Sequence, residues 1–481
     1  MRNVILLEFN EICPPLLERW IGAGRLPNFA AFYRSSQAFT TFADDPDPVN
    51  LEPWIQWYSI HTGLPYHQHQ VFHLTDGPKA GHPDLWHELH RLGKSVMNCS
   101  SMNAQAISGP GTFFLPDPWC IAEPAYPAEL ETFKAVVGRG VQEYSRGLAA
   151  VPPRQLAGFL AFLSCHGLSA QSVGVILRQL ARERLGGKDV SWRRVALLDL
   201  LQLDVFRHYY RQLRPDFATF FVNSTAHLQH AYWRHMDPGP FSIKPSAAEQ
   251  ETYGDAVLFG YQAMDRLLQN FMALAGEETV LILCSALSQQ PFLTREDCGG
   301  QHFFRLRDPA GLCRLIGITP VAIEPIMTHM YMMRFADRAA AERAAIACRA
   351  PRLGDRQVFA AEPSGDASLC VGCQIFDMIE SDAVLSGIPG DNGTLGFFDA
   401  LYPIDAVKSA RHHPEGVLWI RCGGRQAHRE PVSILDIAPT VCELLGAGGA
   451  TNWVGDSLVP RFAAARSDRA AVPEQPLELA R

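Results

Sequence analysis

Histidine, amide and carboxylate side chains gather at four places in this 481-residue chain. Each group adjoins a continuous apolar run. The groups are Glu8, Asn10 and Glu11; Asn223, Thr225, His227, Gln229 and His230; Ser285, Ser288, Gln289 and Gln290; and His412 and His413. Imidazole and carboxylate groups can hold a divalent metal or transfer protons. Because ligands of open parallel sheets bind beyond the carboxyl ends of the strands, the four groups predict one shared site.

The elements that must position these groups are apolar strands alternating with helical patterns. Such runs suit strands buried on both faces of a parallel sheet. The runs are residues 4–7, 217–222, 279–284 and 417–420, and the helical patterns include residues 14–21, 247–275 and 434–445. The alternation predicts an α/β fold with a doubly wound, mostly parallel sheet.

Two segments interrupt this alternation and are predicted to be insertions. Residues 125–215 have only helical patterns and predict a helical insertion, while residues 326–380 predict a small α+β cap. The core is then built from residues 1–124, 216–325 and 381–462. Residues 463–481 are mainly Ala, Arg, Glu and Pro, which predicts a flexible tail.

The composition argues against some kinds of partner and favours one cellular compartment. The chain has 42 Lys+Arg against 50 Asp+Glu, a net charge of −8, which argues against a nucleic-acid polymer as partner. No apolar run approaches the roughly 18 residues of a membrane span. The 12 cysteines are scattered apart from Cys370 and Cys373, which favours a reducing compartment. With a short apolar run at the N-terminus, these features predict a cytoplasmic protein. The sequence gives no oligomeric state.

Five motifs occur in a familiar order. They are Leu26-Pro27-Asn28-Phe29, Trp57-x-Ser59-x-x-Thr62-Gly63-x-Pro65-x-x-x-His69, Gln229-His230-x-Tyr232-Trp233, His412-x-Pro414-Glu415-Gly416-Val417-Leu418 and Leu435-Asp436-Ile437-Ala438-Pro439-Thr440. In this order the chain resembles the alkaline phosphatase superfamily, particularly its type I phosphodiesterase/nucleotide pyrophosphatase branch. The resemblance spans most of the chain outside the two insertions and implies an alkaline-phosphatase-like fold. It also implies two divalent metals, usually zinc, and a Thr, Ser or Cys nucleophile.

Carried over position by position, the resemblance keeps only two of the six expected metal ligands, His230 and His412. The first-strand Asp falls on Asn10. The other ligands fall on Ala226, Ala286 and Leu287, and the nucleophile falls on Pro53. Too little negative charge remains for two divalent ions, so a two-metal site is not expected. We expect at most one divalent metal such as zinc, bound by His230, His412 and His227; alternatively, hydrogen bonds satisfy the first two histidines and His227 faces solvent.

Glu52 is the candidate replacement for the missing nucleophile. It can act as nucleophile or general base, or it can simply begin a helix ahead of Pro53. The predicted catalytic residues are Glu52, Asn10, His230 and His412. Substrate contacts are predicted for Trp54, Gln56, Asn223, Thr225, His227 and His413.

These expectations favour a divergent phosphodiesterase- or phosphatase-like hydrolase or transferase with a metal-poor site. Its substrate would be a small phospho- or sulfo-ester, glycosylated esters included. The alternative is a catalytically inactive pseudophosphodiesterase that binds an anionic ligand or a partner. A second alternative is an ordinary two-zinc phosphodiesterase whose ligands lie at other positions.

Overall fold

A computed structural model describes most of the chain. The described residues are 3–120, 122–142, 151–186, 189–326, 329–389, 393–404, 407–422, 424–450 and 452–462. The predicted tail, 463–481, lies outside them. The chain divides into two compact units, the first of Met1–Asp237, Ser246–Gln290 and Ala410–Arg481, the second of Pro238–Pro245 and Pro291–Ser409. The proposed division into a core and two insertions stays a prediction.

The helices and strands are numbered in chain order. The helices are α1 Pro14–Gly22, α2 Pro27–Tyr33, α3 Pro53–Thr62, α4 Tyr66–His69, α5 Leu85–Arg91, α6 Glu131–Gln142, α7 Pro153–Cys165, α8 Ala170–Leu185, α9 Val195–Leu213, α10 Ser224–Met236, α11 Ala247–Tyr253, α12 Ala256–Ala275, α13 Pro309–Leu315, α14 Arg338–Cys348, α15 Phe397–Ala400 and α16 Ile437–Leu444. The strands are β1 Val4–Phe9, β2 Ser36–Phe42, β3 Val96–Cys99, β4 Thr112–Leu115, β5 Phe217–Val222, β6 Val280–Ser285, β7 Ser288–Pro291, β8 Phe304–Leu306, β9 Ala322–Pro325, β10 Met330–Arg334, β11 Arg352–Leu353, β12 Arg356–Gln357, β13 Phe359–Pro363, β14 Ser368–Cys373, β15 Val384–Ser386, β16 Thr394–Gly396, β17 Leu401–Pro403, β18 Ala410–His413, β19 Glu415–Arg421, β20 Gln426–Ala427 and β21 Val432–Ser433.

The first unit is built on one large, mostly parallel sheet. Its strand order is β20-β2-β19-β6-β1-β5-β3-β4, with β21 also paired to β2. Strand β1 pairs in parallel with β5 and β6, so that Val4 lies opposite both Phe217 and Val280. All six residues of β1 are buried, as expected for a central strand covered on both faces. Strand β19 is antiparallel to both β2 and β6. The predicted α/β fold class is confirmed.

Helix α2 is fixed by a carboxylate of α12. Asp265 accepts hydrogen bonds from the backbone N–H groups of Asn28 and Phe29, at 3.0 and 2.8 Å, and from Asn28 Nδ2 at 2.7 Å. Two otherwise unpaired donors at the start of α2 are therefore satisfied from a distant helix. The Leu26–Phe29 motif is thus a packing feature that ties α2 to α12.

The motif between Trp57 and His69 forms α3 and the turn after it. Gly63 ends α3 with φ of 62°, and a Cβ added there would lie 2.5 Å from Trp453 Cδ1. His69 Nε2 lies 3.0 Å from Ser59 Oγ, while His69 Nδ1 accepts the Val71 N–H at 3.0 Å. Burial lowers the pKa of His69 to about 4. The histidine is therefore neutral and holds the turn against α3.

The segment predicted to be helical contains α6 to α9, and no strand occurs among the described residues between 127 and 213. In the second unit, β13-β14-β10-β9 form one antiparallel sheet and β12-β11-β15-β16 another. This α+β unit includes more residues than the predicted cap of 326–380.

Cys370 and Cys373 lie buried in β14, where burial raises their pKa values to about 11 and about 12, which suits a structural role. Among the described helices, none combines the length and apolarity needed to cross a membrane.

Candidate functional site

The candidate site begins where β1 ends and the chain turns. In an extended strand, Asn10 and Glu11 would point to opposite faces. Glu11 instead has a left-handed backbone with φ of 59°, a conformation uncommon outside glycine. As a result Asn10 Nδ2 donates to Glu11 Oε1 at 2.9 Å. The turn therefore brings both polar side chains to one side of the strand end.

Glu11 meets two histidines from distant parts of the first unit. Its Oε2 lies 3.1 Å from Nε2 of His230, which is carried by α10, and 3.6 Å from Nε2 of His412, which is carried by β18. The two imidazole rings are 5.2 Å apart between centroids and nearly perpendicular. One potential ligand atom from each of these residues lies within 4.8 Å of the other two. Glu11, His230 and His412 therefore form one cluster of potential ligands, which is the candidate site.

The other ring nitrogen of each histidine is anchored by a second group. His230 Nδ1 lies 3.0 Å from the Ala410 carbonyl oxygen, and His412 Nδ1 lies 3.4 Å from Glu52 Oε2. Because a carbonyl oxygen only accepts, Nδ1 of His230 carries its proton. In the neutral ring, Nε2 then presents a lone pair to the Glu11 carboxylate. Two acceptors facing each other require a cation between them, either a proton or a metal ion.

Glu11 is an anion in this setting although it is only 2 % exposed. Burial alone would raise the pKa of Glu11, but positive charge on the nearby His230 and His412 lowers it to about 2 when a proton lies between Glu11 and His230, with hydrogen bonds from His230 and Gln289 acting in the same direction. Gln289 Nε2 donates to Oε2 of Glu11 and, at 3.1 Å, to the Ala226 carbonyl oxygen. The carboxylate is thus held ionised and oriented by donors on both of its oxygens.

The Asn10 side chain makes hydrogen bonds through both its nitrogen and its oxygen. Its Nδ2 also donates to Asn223 Oδ1 at 2.8 Å, and its Oδ1 accepts from Trp57 Nε1 at 2.8 Å. Asn10 is 1 % exposed and Trp57 is fully buried. The side-chain oxygen that the resemblance would assign to a metal is therefore bonded to an indole N–H. Asn10 supports Glu11, and one of the two lone pairs of its oxygen is already used by Trp57.

A two-metal centre does not fit the side chains present. Ala226, Ala286 and Leu287 are buried, and Leu287 packs against Ala43 and Leu51. No carboxylate or imidazole occupies these three positions, so they supply no ligand for a second ion. The residues therefore disagree with the pair of zinc ions that the resemblance implies.

A single divalent ion does fit. Two histidines and one glutamate form an established ligand set for zinc with an open position. Bonds of about 2.0–2.1 Å in a tetrahedral site place two ligand atoms about 3.3–3.4 Å apart. The distances of 3.1 and 3.6 Å from Glu11 Oε2 to the two Nε2 atoms bracket that spacing. The anchored Nδ1 atoms supply the outer contacts that orient metal-binding histidines.

The other predicted contact residues lie in varied places. Asn223 joins the site through Asn10. His227 is exposed on α10 and lies outside the cluster that the described residues form. His413 Nδ1 accepts the Glu415 N–H at 3.3 Å. Trp54 Nε1 donates to the Phe72 carbonyl oxygen at 2.8 Å.

Gln56 and Thr225 are buried. The Gln56 side chain bonds to the backbone of Asp44, Asp45 and Asn50 and so holds the loop before α3. Thr225 lies against Gly260 of α12, where an added Cβ would come within 2.9 Å of its Oγ1. Both side chains therefore contribute to packing, and their contact with a substrate stays a prediction.

Two residues of the site are absent from the catalytic, binding and metal residues predicted from the sequence, Glu11 and Gln289. Glu11 was grouped with Glu8 at the end of the first apolar run, and the structure separates them. Glu8 pairs with His61 at 2.9 Å in the core. The end of the apolar run before Asn10 was the available signal for Glu11.

The sequence matches no protein-family model and no curated protein. Similar solved structures include the phosphonoacetate hydrolase from Sinorhizobium meliloti 1021 in complex with phosphonoformate, 14 % identical over 93 % of this chain and 96 % of that one, with a TM-score of 0.38. The phosphonate monoester hydrolase of Agrobacterium radiobacter is 14 % identical over 96 % and 77 %, with a TM-score of 0.40. Murine ectonucleotide pyrophosphatase/phosphodiesterase 5, an inactive form in complex with AMP, is 10 % identical over 94 % and 96 %, with a TM-score of 0.36.

Proposed function

We propose that this chain is a hydrolase of small phospho- or sulfo-esters that uses one divalent metal ion held by Glu11, His230 and His412. One observation carries the proposal. Two histidines direct Nε2 at a single ionised carboxylate oxygen while their Nδ1 atoms contact a carbonyl oxygen and a carboxylate. That arrangement is the one expected of metal-binding histidines with an outer layer of acceptors.

The charge of the site suits an anionic ester. Glu11 contributes one negative charge, and the two imidazoles are neutral when they act as ligands. A divalent ion with these three ligands carries a net positive charge, which favours a phosphate or sulfate group, and the Glu52 carboxylate beside His412 offsets part of that charge. When bound, the ion supplies Lewis-acid chemistry and lowers the pKa of a coordinated water.

Glu52 is proposed as a positioning residue. Its Oε2 lies beside His412 Nδ1, and it occupies the N-cap position of α3, ahead of Pro53. Residues 50–57 contain no hydroxyl or thiol side chain. Water is therefore the proposed nucleophile, and Glu52 holds the imidazole of His412 in the orientation that the ligand set needs.

The test combines metal content with turnover. Purified protein is loaded with Zn²⁺, desalted and analysed by elemental mass spectrometry. It is then assayed with bis-p-nitrophenyl phosphate, p-nitrophenyl phosphate and p-nitrophenyl sulfate. We expect one equivalent of zinc in the wild type and less than a tenth in Glu11→Gln and His230→Ala. His413→Ala is the matched control, because His413 neighbours a ligand without belonging to the cluster.

Each outcome separates the alternatives. Two equivalents of zinc would favour the ordinary two-zinc phosphodiesterase. One equivalent without turnover of any ester would favour the inactive, anion-binding protein. Failure to bind Zn²⁺, Mn²⁺ or Co²⁺ would remove the metal from the proposal.

A further inference from the structure

A second concave site lies where the central strands of the main sheet begin, opposite the strand ends that carry the Glu11 cluster. Asn3 precedes β1, Thr279 precedes β6, and Arg214 follows α9 just ahead of β5, so the amino ends of three strands meet there. These residues line an open cavity of about 500 Å³. At about 3.3 Å per residue, the length of β1 separates this cavity from Asn10 by about 20 Å. The cavity is therefore remote from the Glu11 cluster.

The cavity is strongly basic. Arg207, Arg211 and Arg214 line it, and its described lining contains no carboxylate. Arg207 is half-buried and donates to Asn270 Oδ1 at 3.4 Å, while Arg211 and Arg214 are exposed. The lining also includes Tyr210 and Thr279, each with a hydroxyl group. We call this set of residues the arginine cavity.

The three arginines destabilise the ligand-free protein locally. Arg207, Arg211 and Arg214 are spaced by four and three residues along α9 and its end, where like charges repel each other. Arg214 also has a left-handed backbone with φ of 45°, a position at which glycine or asparagine is preferred. The helix dipole offsets part of the repulsion, because cations are favoured near a helix C-terminus. A bound polyanion would offset more.

We propose that the arginine cavity binds a small polyanion that carries two or more linked phosphate groups. Guanidinium groups match phosphate oxygens with paired N–H donors. Three of them exceed what one phosphate needs, and a cavity of about 500 Å³ lies within the usual size for small-molecule sites. The ligand class is therefore a diphosphate or a longer polyphosphate, and its binding is independent of the metal cluster.

The experiment measures pyrophosphate binding by isothermal titration calorimetry at 50 and 200 mM NaCl, in EDTA. Four proteins are compared: the wild type, Arg211→Ala combined with Arg214→Asn, Glu11→Gln, and the control Arg178→Ala with Arg182→Ala. Asparagine at position 214 tolerates the left-handed backbone, which protects folding. The control removes two positive charges from exposed positions of α8, away from the cavity. Thermal unfolding of each variant confirms that it is folded.

We expect the wild type, Glu11→Gln and the control to bind pyrophosphate alike, more tightly at 50 than at 200 mM NaCl. The Arg211/Arg214 variant should bind at least tenfold more weakly. Binding by that variant within twofold of the wild type would overturn the proposal. So would a wild type that binds neither pyrophosphate nor tripolyphosphate at 1 mM in low salt. Loss of binding only in Glu11→Gln would place the anion at the metal cluster instead.

Discussion

Trp57 Nε1 donates a hydrogen bond to Asn10 Oδ1 over 2.8 Å, in the core beneath the proposed metal site. An indole N–H can only donate, so it selects the oxygen of Asn10 and leaves the amide N–H groups for Glu11 and Asn223. Through this contact α3 fixes the orientation of the residue that supports Glu11.

Replacing Asn10 with Asp should destabilise the metal-free protein and make its stability depend more on metal. The change removes the donor to Glu11 Oε1 and places a second carboxylate beside the first. We expect a loss of about 2–4 kcal/mol in EDTA, as for a buried charge that loses its partner. Thermal unfolding with EDTA and with Zn²⁺ measures the effect.

The double variant Asn10→Asp with Glu11→Gln supplies the control, because it keeps a single carboxylate at the turn. Its loss in EDTA should be smaller than that of Asn10→Asp alone. Equal melting temperatures for wild type and Asn10→Asp in EDTA would contradict the close contact of residues 10 and 11.

Replacing Glu52 with Gln tests positioning against direct attack. If Glu52 orients His412, Zn²⁺ affinity should weaken about 10–100-fold, and kcat at saturating zinc should fall by a similar factor without vanishing. The measurements are Zn²⁺ titration and steady-state hydrolysis of the most active nitrophenyl ester. Glu415→Gln is the matched control, since Glu415 is exposed near His412. Activity at the uncatalysed background, with unchanged zinc affinity, would favour Glu52 as nucleophile.

Protonation of His69 should destabilise the fold in acid. Its pKa is about 4 in the folded protein against 6.5 for a free side chain, so the unfolded chain binds the proton first. The stability contributed by neutral His69 is complete above pH 6.5 and is lost as the pH falls towards 4. The loss is up to about 3 kcal/mol.

Urea unfolding at pH 7 and pH 4.5 checks this expectation. His69→Gln cannot titrate and should lose less stability between the two pH values than the wild type does. His67, exposed on the same short helix, gives the control variant His67→Gln. A wild type whose decline matches that of His69→Gln would contradict the neutral buried imidazole.

Asp199 should give the free energy of unfolding a pH dependence opposite in sign to that of His69. Burial in α9 raises its pKa to about 7, although Ser224 Oγ donates to its Oδ2 and acts to lower it. A raised folded pKa means that the contribution to stability is complete below pH 3.8 and is lost as the pH rises to about 7. Asp199→Asn should therefore stabilise the protein at pH 8, by up to about 4 kcal/mol.

Melting temperatures of wild type and Asp199→Asn from pH 5 to pH 8 test the sign. The difference between them should grow with pH. Ser224→Ala removes the donor and should destabilise the protein most at pH 8. A destabilised Asp199→Asn at pH 8 would contradict the raised pKa of Asp199 in the folded protein.

Much of the sheet could be predicted because a buried parallel strand appears in the sequence as a short continuous apolar run. The runs before Asn10, Asn223 and Ser285 became β1, β5 and β6. The fourth run became β19, but its antiparallel direction depends on the path of the chain before it. His230 and His412 of the candidate cluster each lie within a motif, and their role as ligands stays a prediction.

Glu11 was not predictable because its orientation depends on tertiary contacts. The strand period puts it opposite Asn10. The turn that overrides the period is held by Ile12 N–H on Ser285 Oγ and Cys13 N–H on the Tyr261 hydroxyl, both more than 240 residues away. Gln56 and Thr225 depend on tertiary contacts as well: Gln56 bonds to a loop and Thr225 lies against α12, while their contact with substrate stays a prediction.

The left-handed backbone of Glu11 costs conformational energy at the residue whose carboxylate is proposed to bind the metal. Glycine at this position would relieve about 1 kcal/mol of backbone strain. It would also leave His230 and His412 facing each other with no carboxylate between them. Glycine would also leave the buried donors of Asn10 and Gln289 without their acceptor, which costs more than the strain it relieves. Variants at this position should therefore be screened for the proposed metal as well as for the fold.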